Sequence, residues 1–254
     1  MTTARIDEAA ETLVIAGAGQ RPTTAELIGP RARVDARVTG GGKTWKATFP
    51  LRASRWGGPE LPLPTGDYEL RIAGAEFGDL LIAPEVLAGV RIAVDGATVR
   101  IAAPIDPAYE TSEGQATLEG RYVAHPGATE NAVFFESFYG RTVGCNPQAI
   151  DRALFAQAPD VVRYWSVVDL SVAVPDGAIA VVEGSPEWWR ARAASRLLVV
   201  NDWLRRRFVR KPGQKVLQTW HGTPLKRLAL HRPGFDPRRM AAVVKAVSYT
   251  HLTL

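Results

Sequence analysis

Residues 178–200, AIAVVEGSPEWWRARAASRLLVV, decide the fold class. An apolar run (Ala178–Val182) leads into Ser185-Pro186 and a helix-like segment, and a second apolar run (Leu197–Val200) follows. A capping side chain before a proline is a typical helix start, and short unbroken apolar runs are typical of buried parallel strands. The stretch therefore predicts a strand, a helix and a second strand of an open α/β sheet.

The same pattern extends on both sides of this stretch, from Asn131 onward. Further strands are predicted at Ala132–Phe135, Val161–Val168 and Val216–Thr219, and further capped helix starts at Asn146-Pro147 and Thr223-Pro224. We expect a Rossmann-like layer over residues 126–246. The chain has no G-x-G-x-x-G and no G-x-x-x-x-G-K-[ST] motif, so a nicotinamide enzyme or a P-loop NTPase has no direct support.

Residues 1–125 have a different pattern, with short apolar runs between turns rich in Gly, Pro and Asp. These runs are Thr12–Ile15, Val34–Val38, Trp45–Leu51, Tyr68–Ile72 and Val90–Val94. Asp95-Gly96 is a hairpin signal, and the residues on either side of it alternate as paired strands do. We predict an all-β accessory domain, a small antiparallel sandwich or barrel.

The charge of the chain is concentrated near its end. The formal net charge is +5, and residues 196–239 contain twelve Lys or Arg against two acids. Such a segment suits a phosphate-rich partner, and a solvated basic face is the alternative. Nucleic acid is not the expected partner, because neither interleaved aromatics on a sheet nor a recognition helix is evident.

Composition also bears on the compartment. Cys145 is the single cysteine, so an intrachain disulfide is excluded and a reducing compartment fits. The N-terminus lacks the apolar region of a secretory signal, and no apolar stretch reaches the roughly 18 residues needed to span a bilayer. We expect a cytoplasmic protein whose membrane contact is peripheral.

Candidate site residues follow the predicted strands, because ligands of open α/β sheets bind beyond the carboxyl ends of the strands. They are Glu136, Ser137 and Gly140 after the first strand, Asn201 after the fourth, and His221, Gly222, Thr223 and Lys226 after the fifth. The helix predicted to start at Thr223-Pro224 offers free N–H groups to a phosphate, and Lys226 in its first turn fits a bound anion. His221 has a side chain suited to act as a general base, although a hydrogen-bonded structural role is the alternative from spacing alone. The histidines do not form a compact metal-ligand spacing with Cys, Asp or Glu.

Several ordered motifs over about residues 130–240 resemble the CDP-glycerol glycerophosphotransferases, the teichoic acid primases and polymerases. The motifs are QTWHGTPLK (218–226), FFESFYG (134–140) with Asn146-Pro147, SPEWW (185–189), and AASR (193–196) leading to Val200-Asn201.

The resemblance implies a GT-B-type enzyme with two Rossmann-like domains. Such an enzyme transfers glycerol phosphate from CDP-glycerol, its donor substrate, to the hydroxyl of a lipid-linked teichoic acid acceptor and releases CMP. His221 matches the histidine of the motif and would be the catalytic base. Gly222, Thr223 and Lys226 would bind the substrate near its phosphate, together with Glu136, Ser137, Gly140 and Asn201. No cofactor is identified, and the need for a metal and the oligomeric state stay open.

The acceptor implies peripheral docking at the inner face of the plasma membrane. The run Trp203–Lys211 mixes basic and bulky apolar residues, as an interfacial segment would, and a surface helix supporting the cleft is the alternative.

The end of the sequence differs in style from what precedes it. Residues 247–254, VSYTHLTL, resemble a translated sequencing adapter, with a frayed natural terminus as the alternative. Compared with the GT-B pattern that the resemblance implies, we also expect the second domain to be absent from this sequence. We therefore expect the natural protein to continue past about Ala246 and this fragment to have little or no activity.

Three alternatives to CDP-glycerol transfer remain. The first is a transferase of another donor, such as CDP-ribitol, or another GT-B enzyme. The second is a non-catalytic polyanion-binding protein that uses the basic region. The third is a docking role for residues 1–125.

Overall fold

The computed structural model describes residues 2–55, 57–75, 77–78, 80–125 and 129–219. The chain divides into two compact units. The first contains Met1–Pro107 and Asp169–Ala173, and the second contains Ala108–Val168 and the chain from Val174 onward.

The described part of the first unit is built from short strands, as the turn spacing predicts. In chain order these are β1 (Thr3–Asp7), β2 (Thr12–Ala18), β3 (Ala25–Ile28), β4 (Arg33–Asp35), β5 (Arg37–Gly41), β6 (Thr44–Pro50), β7 (Arg52–Ser54), β8 (Glu60–Pro62), β9 (Gly66–Ile72), β10 (Leu81–Leu87), β11 (Val90–Asp95) and β12 (Thr98–Ala102). The strands pair antiparallel in sheets of order β1-β2-β6-β5 and β10-β11-β12-β9-β3-β4, with β7 and β8 as a separate pair.

One apolar core joins the two larger sheets of this unit. Side chains on β6 and β9 alternate between buried and more exposed, which is the period of a strand with one buried face. Phe49 on β6 and Tyr68 on β9 are fully buried in the same cluster as Ile92 of β11. The predicted antiparallel β structure is confirmed for these strands, and the hairpin at Asp95-Gly96 forms with Asp95 opposite Thr98.

Residues 169–173 belong to the first unit because Asp169 is hydrogen-bonded within it. Its carboxylate accepts from the backbone N–H and the hydroxyl of Thr65 at 2.9 and 2.8 Å, and Arg31 forms an ion pair with it. These contacts join residues that are distant in sequence, so no periodic pattern in the sequence predicts them.

The second unit contains helices and parallel strands in alternation. In chain order its elements are α1 (Pro107–Glu110), α2 (Ser112–Ala124), β13 (Glu130–Glu136), a 3₁₀ turn (Phe138–Gly140), α3 (Cys145–Gln157), β14 (Val162–Val167), β15 (Ile179–Val182), α4 (Pro186–Ala194), β16 (Ser195–Val200) and β17 (Lys215–Gln218). The five strands form one parallel sheet of order β15-β14-β13-β16-β17. The predicted parallel α/β sheet is confirmed.

Helices cover both faces of this sheet. Phe134 of β13 packs in a cluster with residues of α2 and α4, and its neighbour Phe135 packs in another cluster with residues of α3. Both phenylalanines are fully buried, which explains why β13 is apolar at successive positions instead of alternating. Burial of each such side chain contributes about 1.5–3 kcal/mol.

Two details of the second unit differ from the sequence-based expectations. Residues 108–125 form helices instead of strands, and Leu118 and Tyr122 of α2 pack in the same core cluster as residues of α4. The boundary between the two units therefore lies after Pro107 and not near residue 125. Asn146 does not cap α3, because the N-cap is Gly144, and Pro147 lies inside the first turn, where its missing N–H needs no partner. The start predicted at Ser185-Pro186 is confirmed, since the Ser185 side chain accepts a hydrogen bond from the Trp188 N–H at 3.1 Å.

Candidate functional site

The parallel sheet has its topological switch point between β13 and β16. From β13 the chain moves outward to β14 and β15 on one side and then returns to β16 and β17 on the other side. Glu136 ends β13 and is paired in register with Val200, so Asn201 follows β16 at the same edge. Ligands of open α/β sheets bind in the crevice at this point. The structure thus brings together two of the predicted site residues, Glu136 and Asn201.

A strained turn follows β13 at this edge. Phe138, Tyr139 and Gly140 have successive positive φ angles of 49°, 55° and 71°. For the two residues other than glycine the left-handed conformation costs about 1–2 kcal/mol each. Such strain persists only where the surroundings hold it, and it clusters at functional sites.

Three contacts from other elements hold this turn. The Phe138 N–H donates to Asn201 Oδ1 at 3.0 Å, and the Gly140 carbonyl accepts from the Val168 N–H at 2.9 Å. Arg205 Nη2 donates to the Tyr139 carbonyl at 3.0 Å.

Gly140 and Ser137 shape this turn from within. A Cβ on Gly140 would lie 3.1 Å from the Val167 backbone, so a side chain at this left-handed position would also press on the end of β14. The buried Ser137 hydroxyl donates to the Thr142 carbonyl at 2.6 Å and accepts from the Gly144 N–H at 3.1 Å. Both side-chain bonds of Ser137 thus close the loop that leads to α3.

Glu136 is a buried acid with a specific hydrogen-bond chain. Its Oε2 accepts from the Ser166 hydroxyl at 2.7 Å, and Ser166 Oγ accepts from Trp188 Nε1 at 2.8 Å. Burial raises the pKa of Glu136, although the Ser166 hydrogen bond and the charge of Arg192 act in the opposite direction. Glu136 therefore holds its proton to a higher pH than an exposed glutamate does, and its carboxyl can act as a hydrogen-bond donor.

Asn201 presents an unused donor. The side chain is fully buried, and Oδ1 must be the atom that faces the Phe138 N–H, because an N–H requires an acceptor. Nδ2 is then the free end, and within the described ranges it has no hydrogen-bond partner. A buried amide N–H without a partner costs about 1–3 kcal/mol, which a bound acceptor group would recover.

Arg192 is a charged residue near this site that belongs to no motif recognisable in the sequence. It is buried in the last turn of α4 between aromatic rings, with its guanidinium carbon 4.9 Å from the Trp188 ring centroid and 5.5 Å from that of Phe208. Its Nη1 donates to the Arg205 carbonyl at 2.9 Å, whereas Nε and Nη2 have no partner among the described residues. Within a helix, no local pattern distinguishes this arginine from a solvent-exposed one.

Part of the basic region makes contacts within the chain. Lys211 is buried, and its Nζ donates to the carbonyls of Tyr122 and Val123 at 2.5 and 3.0 Å. Carbonyls at a helix end lack intrahelical partners and favour a cation, so Lys211 caps the end of α2. This use of a basic side chain is neither a phosphate site nor a solvated face.

The run Trp203–Lys211 is irregular and not a surface helix. Three of its apolar side chains, Leu204, Phe208 and Val209, pack against the core cluster of α2 and α4. Trp203 is 37% exposed. In the described part of the chain, no helix has the length and apolar character needed to cross a bilayer.

Comparison with known proteins adds to this geometry. The family model described as CDP-Glycerol:Poly(glycerophosphate) glycerophosphotransferase matches residues 120–250, just over half of the chain. The chain belongs to this family. The match includes all five parallel strands and the switch-point residues.

Curated relatives and solved structures give the extent of similarity. The chain is 38% identical over 115 residues to the teichoic acid poly(glycerol phosphate) polymerase of Bacillus subtilis (strain 168), covering 42% of this chain and 15% of the relative. It is 31% identical over 107 residues to the teichoic acid glycerol-phosphate transferase of Staphylococcus aureus (strain NCTC 8325 / PS 47), covering 40% and 26%. A solved structure of the wall teichoic acid polymerase TagF aligns with 54% of this chain and 36% of its own, at 26% identity and a TM-score of 0.49. The chain thus spans about a quarter or less of the length of these two curated relatives.

Four predicted site residues, His221, Gly222, Thr223 and Lys226, lie outside the described residues, as do the helix start at Thr223-Pro224 and residues 247–254. The family match includes these four residues. In sequence His221 comes three residues after Gln218, the last residue of β17, which is adjacent to β16 in the sheet. Among the described residues, no group of three or more His, Cys, Asp or Glu side chains could hold a metal ion.

Proposed function

We propose that the protein transfers glycerol phosphate from CDP-glycerol to the hydroxyl of a lipid-linked acceptor in teichoic acid biosynthesis. The observation that carries this proposal is the family match over residues 120–250, which coincides with the parallel sheet and its switch point. The names of the Bacillus subtilis and Staphylococcus aureus relatives support the same activity. We also infer that the second unit, which starts at Ala108, belongs to the first of two Rossmann-like domains of a GT-B-type enzyme.

The proposed reaction requires one proton acceptor. The acceptor hydroxyl oxygen attacks the phosphorus that carries the glycerol, a new P–O bond forms, and the bond to CMP breaks. The hydroxyl proton passes to the imidazole of His221, and CMP leaves with the electron pair of the broken bond. An imidazole with a pKa near 6.5 suits this step, and general-base catalysis of this kind contributes about 10²–10⁴-fold.

The described residues would support substrate binding at the switch point. Asn201 Nδ2 offers an unused donor to a phosphate or hydroxyl oxygen. Glu136 keeps a polar group at the end of the central strand, and Gly140 and Ser137 maintain the turn beside it. Gly222, Thr223 and Lys226 complete the proposed binding residues.

The proposal is tested by the release of CMP from CDP-glycerol with a lipid-linked acceptor analogue. The complete product of the gene is compared with its His221→Ala variant. We expect release that depends on the acceptor and a loss of at least about 10²-fold in the variant. Turnover that is unaffected in the variant would place the base elsewhere. A folded protein inactive with both CDP-glycerol and CDP-ribitol would refute the transferase proposal and favour polyanion binding.

We place the protein in the cytoplasm, in peripheral contact with the inner face of the plasma membrane. The lipid-linked acceptor of the proposed reaction supports this location. Since Leu204, Phe208 and Val209 pack inward, Trp203 is the apolar side chain of its run that could reach a lipid surface. Cosedimentation with vesicles rich in anionic lipid tests the contact, and a protein that stays in the supernatant at low salt would contradict it.

A further inference from the structure

Two arginines follow β16 at the carboxyl edge of the parallel sheet and share one carboxylate. Arg205 Nη2 lies 2.7 Å from Glu183 Oε2, and Arg206 Nε lies 3.1 Å from Glu183 Oε1. Glu183 comes directly after β15, so all three charges stand at the edge where the switch point lies. One carboxylate cannot balance two guanidinium groups.

Arg205 is held in a defined orientation. Besides Glu183, its Nη2 contacts the Tyr139 carbonyl at 3.0 Å, and its guanidinium carbon lies 4.5 Å from the centroid of the Tyr139 ring. Its Nε and Nη1 have no hydrogen-bond partner in the part of the chain that the structure describes, and 41% of the side chain is exposed. A planar guanidinium fixed in this way presents a preorganised pair of donors.

The unpartnered polar atoms near the strained turn include a donor, Asn201 Nδ2, and an acceptor, Gln218 Oε1, among the described residues. Two nitrogens of the nearby Arg192 are also buried without a partner in this part of the chain. Arg192, at 1% exposure, would act on a ligand through its positive charge and not by contact, and this charge favours an anion.

The acidic neighbours of these arginines are Glu183, which Arg205 and Arg206 share, and Asp202, which lies close enough to raise the pKa of Tyr139. In the cluster around Glu183 itself, two guanidinium groups face one carboxylate.

We propose that Arg205, positioned by Glu183 and Tyr139, binds a phosphate group of the substrate at the switch point. The proposal rests on the proposed function and specifies one of its binding contacts. The phosphate could belong to the diphosphate of CDP-glycerol or to the phosphodiesters of the acceptor polymer. Both offer the same chemistry to a guanidinium, so the experiment must distinguish them.

The test is calorimetric titration of the complete gene product with CDP-glycerol and, separately, with a short glycerol phosphate oligomer. Arg205→Ala should weaken binding of one of them by at least about tenfold, the scale of one charge-assisted hydrogen bond. Arg205→Lys should restore only part of the loss, because lysine keeps the charge and loses the planar fork. Arg207→Ala is the matched control: Arg207 is 59% exposed and faces Glu119 at 3.6 Å, and its change should alter affinity less than twofold.

The outcomes separate this proposal from the proposed function. Unchanged affinity of Arg205→Ala for both ligands would refute the phosphate site, as would an equal loss in Arg207→Ala or a wild-type protein that binds neither ligand. If Arg205→Ala releases CMP with unchanged KM and kcat, the transferase stands and the site fails. If the wild-type protein binds phosphate through Arg205 but does not release CMP, the site stands and the transferase fails.

Discussion

Gly140→Ala should destabilise the second unit through both the backbone and the packing of the turn. Alanine at φ +71° costs about 1–2 kcal/mol relative to glycine. The new Cβ would also lie 3.1 Å from Val167 Cα and from the Val168 nitrogen, and crowding against a fixed backbone costs about 1–3 kcal/mol. The expected decrease in the free energy of unfolding is therefore about 2–5 kcal/mol.

Gly213→Ala provides a matched control. Gly213 has a similar φ of +76°, but no neighbouring atom lies within 4 Å of the position of its Cβ. This variant should lose only the backbone contribution, about 1–2 kcal/mol. The entropic effect of alanine on the unfolded chain is common to both variants and cancels in the comparison.

Equilibrium unfolding in urea, followed by tryptophan fluorescence, measures both variants. Five of the seven tryptophans belong to the second unit, so the signal reports mainly on it. Equal losses of stability in the two variants would refute the argument that Gly140 is required by its contact with the end of β14. In that case only its backbone conformation would matter.

Three further predictions concern the second unit and its packing. Asp151→Asn should lower the free energy of unfolding by about 3–5 kcal/mol, because it leaves the buried guanidinium of Arg163, 2.9 Å from Asp151, without its counter-ion. The control Asp67→Asn changes an exposed ion pair and should leave the urea midpoint unchanged. Burial raises the pKa of Glu136, so the folded protein binds this proton more tightly than the unfolded chain, and stability falls as pH rises through the raised value. The stability of Glu136→Gln relative to the wild type, measured by thermal melts, should therefore be higher at about pH 8 than at about pH 4. The same relative stability at both pH values would contradict a raised pKa of Glu136. Ser185→Ala removes the side-chain cap of α4 and should cost about 1 kcal/mol in urea unfolding, while Ser185→Asp, which can also cap, should stay close to the wild type.

The order of the strands shows what a local pattern can and cannot predict. Each apolar run in residues 131–219 corresponds to an observed strand, because a strand buried on both faces must be apolar at successive positions. Their arrangement about β13 depends on which edges pair, and that is decided by contacts between residues distant in sequence. The division after Pro107 has the same origin, since α2 packs on α4 through Leu118 and Tyr122.

Some features of the candidate site could likewise be predicted from the sequence, and others could not. The rule that ligands bind beyond strand ends was sufficient to select Glu136, Gly140 and Asn201 from the sequence, because a polar residue after an apolar run is a local signal. The loop-closing bonds of Ser137 and the free end of the Asn201 amide follow from contacts that no spacing encodes. His221 was selected by its position after a strand and by family resemblance, and its role stays a prediction.

The sequence by itself determined the fold class of both units, most of their strands, and the family, because these depend on hydrophobic period, turn residues and ordered motifs. Only the tertiary structure decided that Phe138 and Tyr139 adopt the left-handed conformation, that Arg192 is buried among aromatic rings, and that Arg205 is fixed by Glu183. The physical reason is that periodicity reports which side of an element is buried. Strain, desolvation and charge pairing depend on which other elements come to lie against it.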